Sequence, residues 1–296
     1  MSLVQNRIIA QLAQELGAAQ SQIKAAVDLL DEGSTVPFIA RYRKEATGGL
    51  DDAVLRDLQE RLVYLRELED RRGSILESIE SQGKLTPELK AAIEKAENKQ
   101  TLEDLYLPYK PKRRTRAQIA REAGLQPLAD AILENRQAVP EELAAAYLNA
   151  EHQINDTKAA LDGARDILAE QFSENAALLA LLRKRLNSEG AIRAAVVPEK
   201  ASEAIKFQDY FEHQEPLSST ASHRMLAMLR GREQGFLTLK VDLPEVWEAE
   251  NPRTPHPFES EIARLHGVER EDSPRGKFMN EVCRWTWKIK LASTLE

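Results

Sequence analysis

Hydrophobic residues along most of the chain recur every three to four positions, the spacing that predicts amphipathic helices. The longest such stripe is nearly heptad and consists of Leu55, Leu58, Leu62, Leu65, Leu68, Ile75 and Ile79. Asp51 and Asp52 precede it as candidate N-caps, and Gly83 follows it as a natural stop. The pattern therefore predicts one long helix between these residues.

Shorter periodic segments predict further helices on both sides of this one. They cover residues 4–16, 20–32, 87–97, 115–123, 126–136, 140–150, 156–172 and 175–187, and a last helix covers 277–295. Past Gly190 the pattern changes, and a strand-like segment at 236–243 follows Gly235. The sequence thus predicts a mainly α, multihelical fold with a small β element in its C-terminal third. The change of pattern indicates a module boundary near residue 195, with modules at 1–195 and 196–296.

Composition supports a helical globular protein and restricts its chemistry. Of the 296 residues, 42% are hydrophobic, 30% are charged and only 5% are aromatic. No apolar run approaches the roughly 20 residues of a membrane span. The single cysteine, Cys283, excludes an intrachain disulfide and a Cys-rich zinc site and, with no secretory signal before the first helix, favours the cytoplasm. Because the net charge is −7, any contact with nucleic acid requires a local basic patch.

The best candidate for such a patch is the segment 110–116, which we call the basic loop. It contains five cations and no acid: Lys110, Lys112, Arg113, Arg114 and Arg116. Pro108 and Pro111 stiffen it, which lowers the entropy cost of holding the charges in place. Such a loop could bind about three to five phosphates, with Arg121 on the next helix as a further contact. The alternative is a solvated loop with no ligand.

The residues that follow have the sequence pattern of a helix-turn-helix, within an element near 101–136. Gly124 supplies the positive φ that such a turn commonly needs, Leu125 is expected to point inward, and Pro127 opens the second helix. On that second helix only three side chains are suited to reading base edges: Gln126, Asn135 and Arg136. We therefore expect a helix-turn-helix fold without sequence-specific base reading.

Arg41, Arg43 and Lys44, beside Tyr42, form a possible second anion patch, although compensation of the many neighbouring acids is the more ordinary explanation for these cations. The five histidines show no metal-ligand spacing, and the chain has no Gly-rich phosphate loop and no nucleophile elbow. We therefore expect no catalytic residue, no metal, no cofactor and no small-molecule substrate. The protein is expected not to be an enzyme.

Several stretches together resemble the bacterial Tex family of transcription accessory proteins. They are VPFIARYRKE at 36–45, LEDLYLPYKPKRRTR at 102–116, FQDYF at 207–211 and SHR at 222–224. The resemblance implies a longer protein, in which a helical N-terminal region precedes an RNase-H-like domain, helix-hairpin-helix elements and a C-terminal OB-type RNA-binding domain. This chain would be the N-terminal part, with those later domains absent from it.

The resemblance also implies a cytoplasmic, nucleic-acid-associated protein that acts in transcription, related to a eukaryotic elongation and histone-chaperone factor. In that family the main grip on nucleic acid is attributed to the OB-type domain, so this part would contribute at most non-specific phosphate contacts to RNA or DNA. The alternative is a scaffold that docks onto the transcription machinery without touching nucleic acid. Neither role involves a membrane.

Overall fold

The computed structural model describes residues 3–249, 251, 254–269 and 271–295. Contacts within the chain divide it into two compact units, Met1–Tyr106 and Leu107–Glu296. The module boundary expected near residue 195 falls inside the second unit and stays a prediction. The expected fold class is confirmed, because the described residues are mainly helical and contain a small sheet in the C-terminal third.

The first unit is built on one long helix, as the heptad stripe predicts. Its helices are α1 (Leu3–Leu16), α2 (Gln20–Asp31), α3 (Val36–Tyr42), α4 (Asp52–Ser81), α5 (Pro87–Lys95) and α6 (Lys99–Tyr106). The carboxylate of Asp51 caps α4 by accepting a hydrogen bond of 2.9 Å from the Val54 amide. All seven residues of the stripe are buried, and α1, α2, α3, α5 and α6 pack against α4.

The turn between α3 and α4 is fixed by specific contacts. Thr47 is fully buried, and its hydroxyl donates a 3.2 Å hydrogen bond to the carbonyl of Arg43. The side-chain amide of Gln22 on α2 donates to the carbonyl of Gly48 at 2.9 Å. Gly48 has a φ of +60°, and a Cβ there would lie 2.6 Å from Gln22 Nε2, so any other residue would be strained and would displace the Gln22 side chain.

The second unit contains the remaining elements. Its helices are α7 (Arg116–Glu122), α8 (Gln126–Glu134), α9 (Pro140–Ala144), α10 (Thr157–Ser173), α11 (Ala176–Glu189), α12 (Ser222–Glu233), α13 (Pro244–Glu248), α14 (Pro257–Leu265), α15 (Pro274–Trp285) and α16 (Ala292–Leu295). Short 3-10 helices lie at Ala145–Tyr147, Ala150–His152, Pro198–Lys200, Ile205–Tyr210 and Leu217–Ser219. The strands are β1 (Ala191–Val196), β2 (Glu212–Pro216) and β3 (Leu237–Asp242).

The three strands form one antiparallel sheet with the order β2-β1-β3, so β1 is central. In this register Ile192 lies opposite Glu215 on one side and Val241 on the other. The strand predicted at 236–243 is confirmed as β3. The last helix differs from the prediction: it begins at Pro274 and passes through a π-helical segment, Thr286–Leu291, before α16.

Helices α7 and α8 are joined by the turn that the sequence predicts. Gly124 has a φ of +81°, and Leu125 is fully buried. Helix α10 packs against both helices. It approaches them at Gly163, where an added Cβ would collide with Leu125 Cδ1 and lie 3.2 Å from the Cβ of Ala120. The helix-turn-helix element is therefore part of the core of the second unit.

No helix in the part of the chain that the structure describes combines the length and the hydrophobicity needed to cross a bilayer. Nor do the described residues bring three or more His, Cys, Asp or Glu side chains together as a potential metal site.

Candidate nucleic-acid interface

The basic loop leads directly into α7, whose N-cap is Thr115. The Thr115 hydroxyl accepts a 3.0 Å hydrogen bond from the amide of Gln118, which fixes the point where the loop ends and the helix begins. All five cations of the loop are exposed, whereas Arg121 on α7 is half-buried. The predicted residues therefore share one region of the second unit, and their surroundings decide how many of them are free.

Two acids at the C-terminal end of α10, Glu170 and the C-cap residue Glu174, pair with two of the six predicted cations. Lys112 pairs with Glu174 and lies 4.0 Å from a carboxylate oxygen of Glu170. Arg121 donates to Glu170 through Nη1 at 2.7 Å. Glu170 is only 4% exposed, so these two cations compensate the charge of a buried carboxylate. The sequence of the loop contains no acid, but in the folded chain the loop contacts acids from another part of the sequence.

Glu170 and Glu174 have opposite pKa shifts. Burial opposes the ionisation of Glu170, but the hydrogen bond from Arg121 and the charge of Lys112 together hold the pKa of Glu170 below its ordinary value. At Glu174 burial outweighs the hydrogen bond from Lys112, and the pKa of this carboxyl is raised. On balance, therefore, the cations favour the ionised form of Glu170, whereas burial disfavours the ionised form of Glu174.

A third predicted cation, Arg114, is tied more loosely. Its guanidinium donates to Glu122 on α7, through Nε at 3.0 Å and Nη2 at 2.5 Å. Both side chains are largely in solvent, where an ion pair contributes little to stability. The remaining three, Lys110, Arg113 and Arg116, are exposed and form no salt bridge with any acid that the structure describes.

The side chains of α8 that were candidates for base reading already have partners. Gln126 accepts a 3.0 Å hydrogen bond from Arg121 Nε and donates a 2.8 Å hydrogen bond to Asp130. Asn135 accepts from the amide of Gln137 at 3.0 Å. A base edge would have to displace these hydrogen bonds, so the helix offers little to a major groove.

The far end of α8 is also fixed. Arg136 forms a 2.6 Å salt bridge with Glu269. Arg275 on α15 is buried, and it donates to the carbonyls of Ile132 at 2.8 Å and Leu133 at 2.7 Å. Arg275 thereby satisfies carbonyls in the last turn of the helix, which lack partners within the helix. Sequence reasoning missed this residue because its partners are backbone atoms about half the chain away.

The possible second anion patch lies in the first unit. Arg41, Arg43 and Lys44 are exposed, and none of them forms a salt bridge with an acid in the described residues. The alternative, that these cations compensate neighbouring acids, therefore finds no ion pair to support it. Their role as an anion site stays a prediction.

Two acids that shape the candidate interface, Glu170 and Glu174, were not identified from the sequence. Glu170 carries a signal that could have found it, because it lies three residues after the buried Ile167, on a helix face where an apolar residue is expected. A buried acid requires a cationic partner. The sequence does not reveal which cation that is.

Comparison with known proteins identifies the family. Residues 6–80 match the Tex-like protein N-terminal domain, and residues 135–296 match the Tex central region. The basic loop and nearly all of the helix-turn-helix element lie between the two matched segments.

Full-length relatives agree with this result. The chain is 60% identical over 295 residues to Protein tex of Bordetella pertussis and 52% identical over 290 residues to the transcriptional accessory protein Tex of Neisseria gonorrhoeae. These alignments cover 98% and 96% of the chain, but only 37% of each relative. It is also 29% identical, over 91% of its length and 28% of the relative, to the human S1 RNA-binding domain-containing protein 1. With its two matched regions and these relatives, the chain belongs to the Tex family of transcription accessory proteins.

Proposed function

We propose that this chain is a helical scaffold region of a Tex-like transcription accessory protein and that it contacts nucleic acid non-specifically through phosphates. The names of two relatives, one a transcriptional accessory protein and the other an S1 RNA-binding domain-containing protein, support an association with transcription and RNA. The chain spans only 37% of the length of the Tex relatives, so a role of the whole protein in transcription is likewise proposed and not observed. The proposed role is binding, not catalysis.

One observation carries the proposal: Lys110, Arg113 and Arg116 are exposed and unpaired with any described acid, on a loop held by prolines. Three cations that neutralise three phosphates would release counterions and make binding depend on salt. The expected slope of log K against log salt is about −3 for duplex DNA and about −2 for a single strand. This contribution carries no sequence preference, because phosphate contacts do not read bases.

The test measures binding of labelled duplex DNA by fluorescence anisotropy, from low to moderate salt. The variant combines Lys110→Glu, Arg113→Glu and Arg116→Glu. The matched control changes three exposed lysines elsewhere in the second unit by the same charge: Lys158→Glu, Lys184→Glu and Lys240→Glu. We expect the loop variant to lose most of the salt-dependent binding and the control to keep it. Equal losses in both variants would show that only the overall charge matters.

The alternative function is a protein-interaction scaffold that docks onto the transcription machinery without nucleic-acid contact. The observation that favours it is the pairing of Lys112, Arg114 and Arg121 with acids, because a phosphate would have to compete with an acid at half of the predicted cations. The same titration separates the two functions. If the unaltered chain fails to bind duplex DNA even at low salt, the phosphate contact through the basic loop is wrong and the scaffold is the better of these two functions.

A further inference from the structure

Two aromatic rings on α3 are unusually open to solvent. Among the aromatic residues that the structure describes, only Phe38 and Tyr42 are exposed, by 40% and 64%. They are four residues apart on one helix, so both project from the same face. Their ring centroids are 5.4 Å apart and their planes are inclined by 47°. The pair forms an aromatic surface that no described part of the first unit covers.

Cations border both rings. The guanidinium carbon of Arg41 lies 6.0 Å from the ring centroid of Tyr42, and that of Arg43 lies 5.7 Å from the centroid of Phe38. Lys44 follows directly and is exposed, as is one acid, Glu45. Elsewhere in this unit arginines form close ion pairs, as Arg61 does with Glu15 at 2.6 Å and Arg66 with Asp31 at 2.7 Å. Around Phe38 and Tyr42, by contrast, no described acid forms a salt bridge with the cations, so an anionic ligand can reach them.

This surface is held rigidly. On the opposite side of α3, Val36 and Ile39 are buried in the core, at 4% and 0% exposure. After the helix, the chain is fixed by the buried Thr47 and by the hydrogen bond from Gln22 to Gly48. A binding surface with a fixed backbone loses less conformational entropy when a ligand binds. The exposed rings are therefore presented by an ordered scaffold.

The combination selects a particular class of ligand. Cations alone would accept any anion, and exposed rings alone would accept any apolar partner. Rings next to unpaired cations suit a ligand that offers flat π faces and negative charges in alternation, as single-stranded nucleic acid does. A duplex is a poor match because its bases are stacked on each other and its base faces are hidden.

We propose that Phe38, Arg41, Tyr42, Arg43 and Lys44 form a binding surface for single-stranded nucleic acid. A base stacks on Tyr42, which is the more exposed ring, and Phe38 supports it from the side. The three cations contact the flanking phosphates. This surface belongs to the first unit and does not rest on the function proposed for the basic loop in the second unit.

The test uses the full chain and a single-stranded oligonucleotide that contains 2-aminopurine, whose fluorescence is quenched when the base stacks. The main variant combines Phe38→Ala and Tyr42→Ala; both rings are exposed, so the fold should persist, and a thermal melt checks this. Tyr42→Phe retains the ring. The matched control, Ile205→Ala with Leu226→Ala, removes two apolar side chains that are each 63% exposed.

We expect the double alanine variant to lose the stacking signal and to bind the single strand roughly tenfold to a hundredfold more weakly. Tyr42→Phe and the control should bind as the unaltered chain does. The basic-loop variant, with Glu at 110, 113 and 116, should keep the stacking signal, and the double alanine variant should keep its affinity for duplex DNA.

Three outcomes would overturn the proposal. The first is no binding of the single strand at low salt. The second is an equal loss in the double alanine variant and in the Ile205 and Leu226 control. The third is disappearance of the stacking signal in the basic-loop variant, which would assign the single strand to the other unit. A failure of duplex binding alone would count against the basic loop and leave this surface standing.

Discussion

The chain has two cationic segments that look alike in sequence and differ in space. The basic loop has five cations without an intervening acid, yet Lys112 pairs with Glu174, which caps α10, and Arg114 pairs with Glu122 of α7. The segment at 41–44 has only three cations, and all of them are free of salt bridges with described acids. The number of cations in a row is therefore a poor measure of the charge that a ligand can reach.

The difference arises from where the acids lie. Glu170 and Glu174 reach the basic loop only because α10 packs against α7, so the neutralisation depends on tertiary structure. The shorter segment comprises the end of α3 and the start of the following turn, and the side chains of Thr47 and Gln22 that fix this turn are uncharged. The cations at 41–44 stay available to a ligand because the side chains that fix the turn after them are neutral.

The largest effect is expected on stability, when the buried cation Arg275 is removed. Arg275→Ala should lower the free energy of unfolding of the second unit by about 3 kcal/mol, since it leaves one buried and one partly buried carbonyl without donors and opens a cavity. Urea denaturation measures the change. Arg264→Ala, at an exposed arginine that pairs with Glu261, is the control and should cost far less. Similar costs for both would contradict the distinction between tied and exposed cations.

An intermediate effect, on the affinity for duplex DNA, should follow when Arg121 loses its acidic partner. Glu170→Gln removes the carboxylate that holds Arg121, and it leaves Lys112 with Glu174 alone. We expect duplex DNA to bind several-fold more tightly at low salt, with a salt slope steeper by about one unit for one additional phosphate contact. Glu203→Gln, at an exposed acid of the second unit, gives the same charge change and should have little effect.

If Glu170→Gln leaves the affinity unchanged while the Lys110, Arg113 and Arg116 variant loses it, the tied cations lie outside the phosphate path. If both have no effect, the basic loop is not the contact.

The smallest effect concerns pH. Burial raises the pKa of Glu174, so the folded chain takes up this proton at a higher pH than the unfolded chain, in which the group titrates near 4.5. The free energy of unfolding should therefore gain a contribution from Glu174 as the pH falls toward 4.5, and Glu174→Gln should remove that dependence. Glu170 has the opposite sign: its pKa is lowered, so its contribution is lost as the pH falls below about 4.5.

Urea denaturation of the unaltered chain and of Glu174→Gln, at several pH values between 7 and 4.5, isolates this contribution. A difference between the two proteins that stays constant over the range would contradict the raised pKa.

The sequence predicts those parts of the fold that depend on local rules. The heptad stripe of α4 is buried as expected, and Asp51 caps the helix. The turn at Gly124 has the expected positive φ, and Leu125 points into the core. In each case a residue type and its immediate neighbours determine the outcome, so no knowledge of distant segments is needed.

Features that depend on distant partners were not predictable in this way. Strand β2 (Glu212–Pro216) has no apolar pattern, and it is a strand because it pairs with β1. At the candidate interface the cations were identified from the sequence, but the acids that tie Lys112 and Arg121 were not. The exposure of Phe38 could not be predicted from the sequence either. Helix α3 has only seven residues, two of them buried, and so short a helix does not show from its sequence which face is directed to solvent.

The close approach at Gly163 has a consequence for exchanging segments between relatives. Since a Cβ at this position would collide with Leu125, the two positions act as one steric unit, although Gly163 lies on α10 and Leu125 lies in the turn before α8. A chimera that takes α10 from a relative with alanine at this position and keeps the leucine would push the helices apart. Such a graft should keep its spacing only when the residues at 125 and 163 come from the same parent.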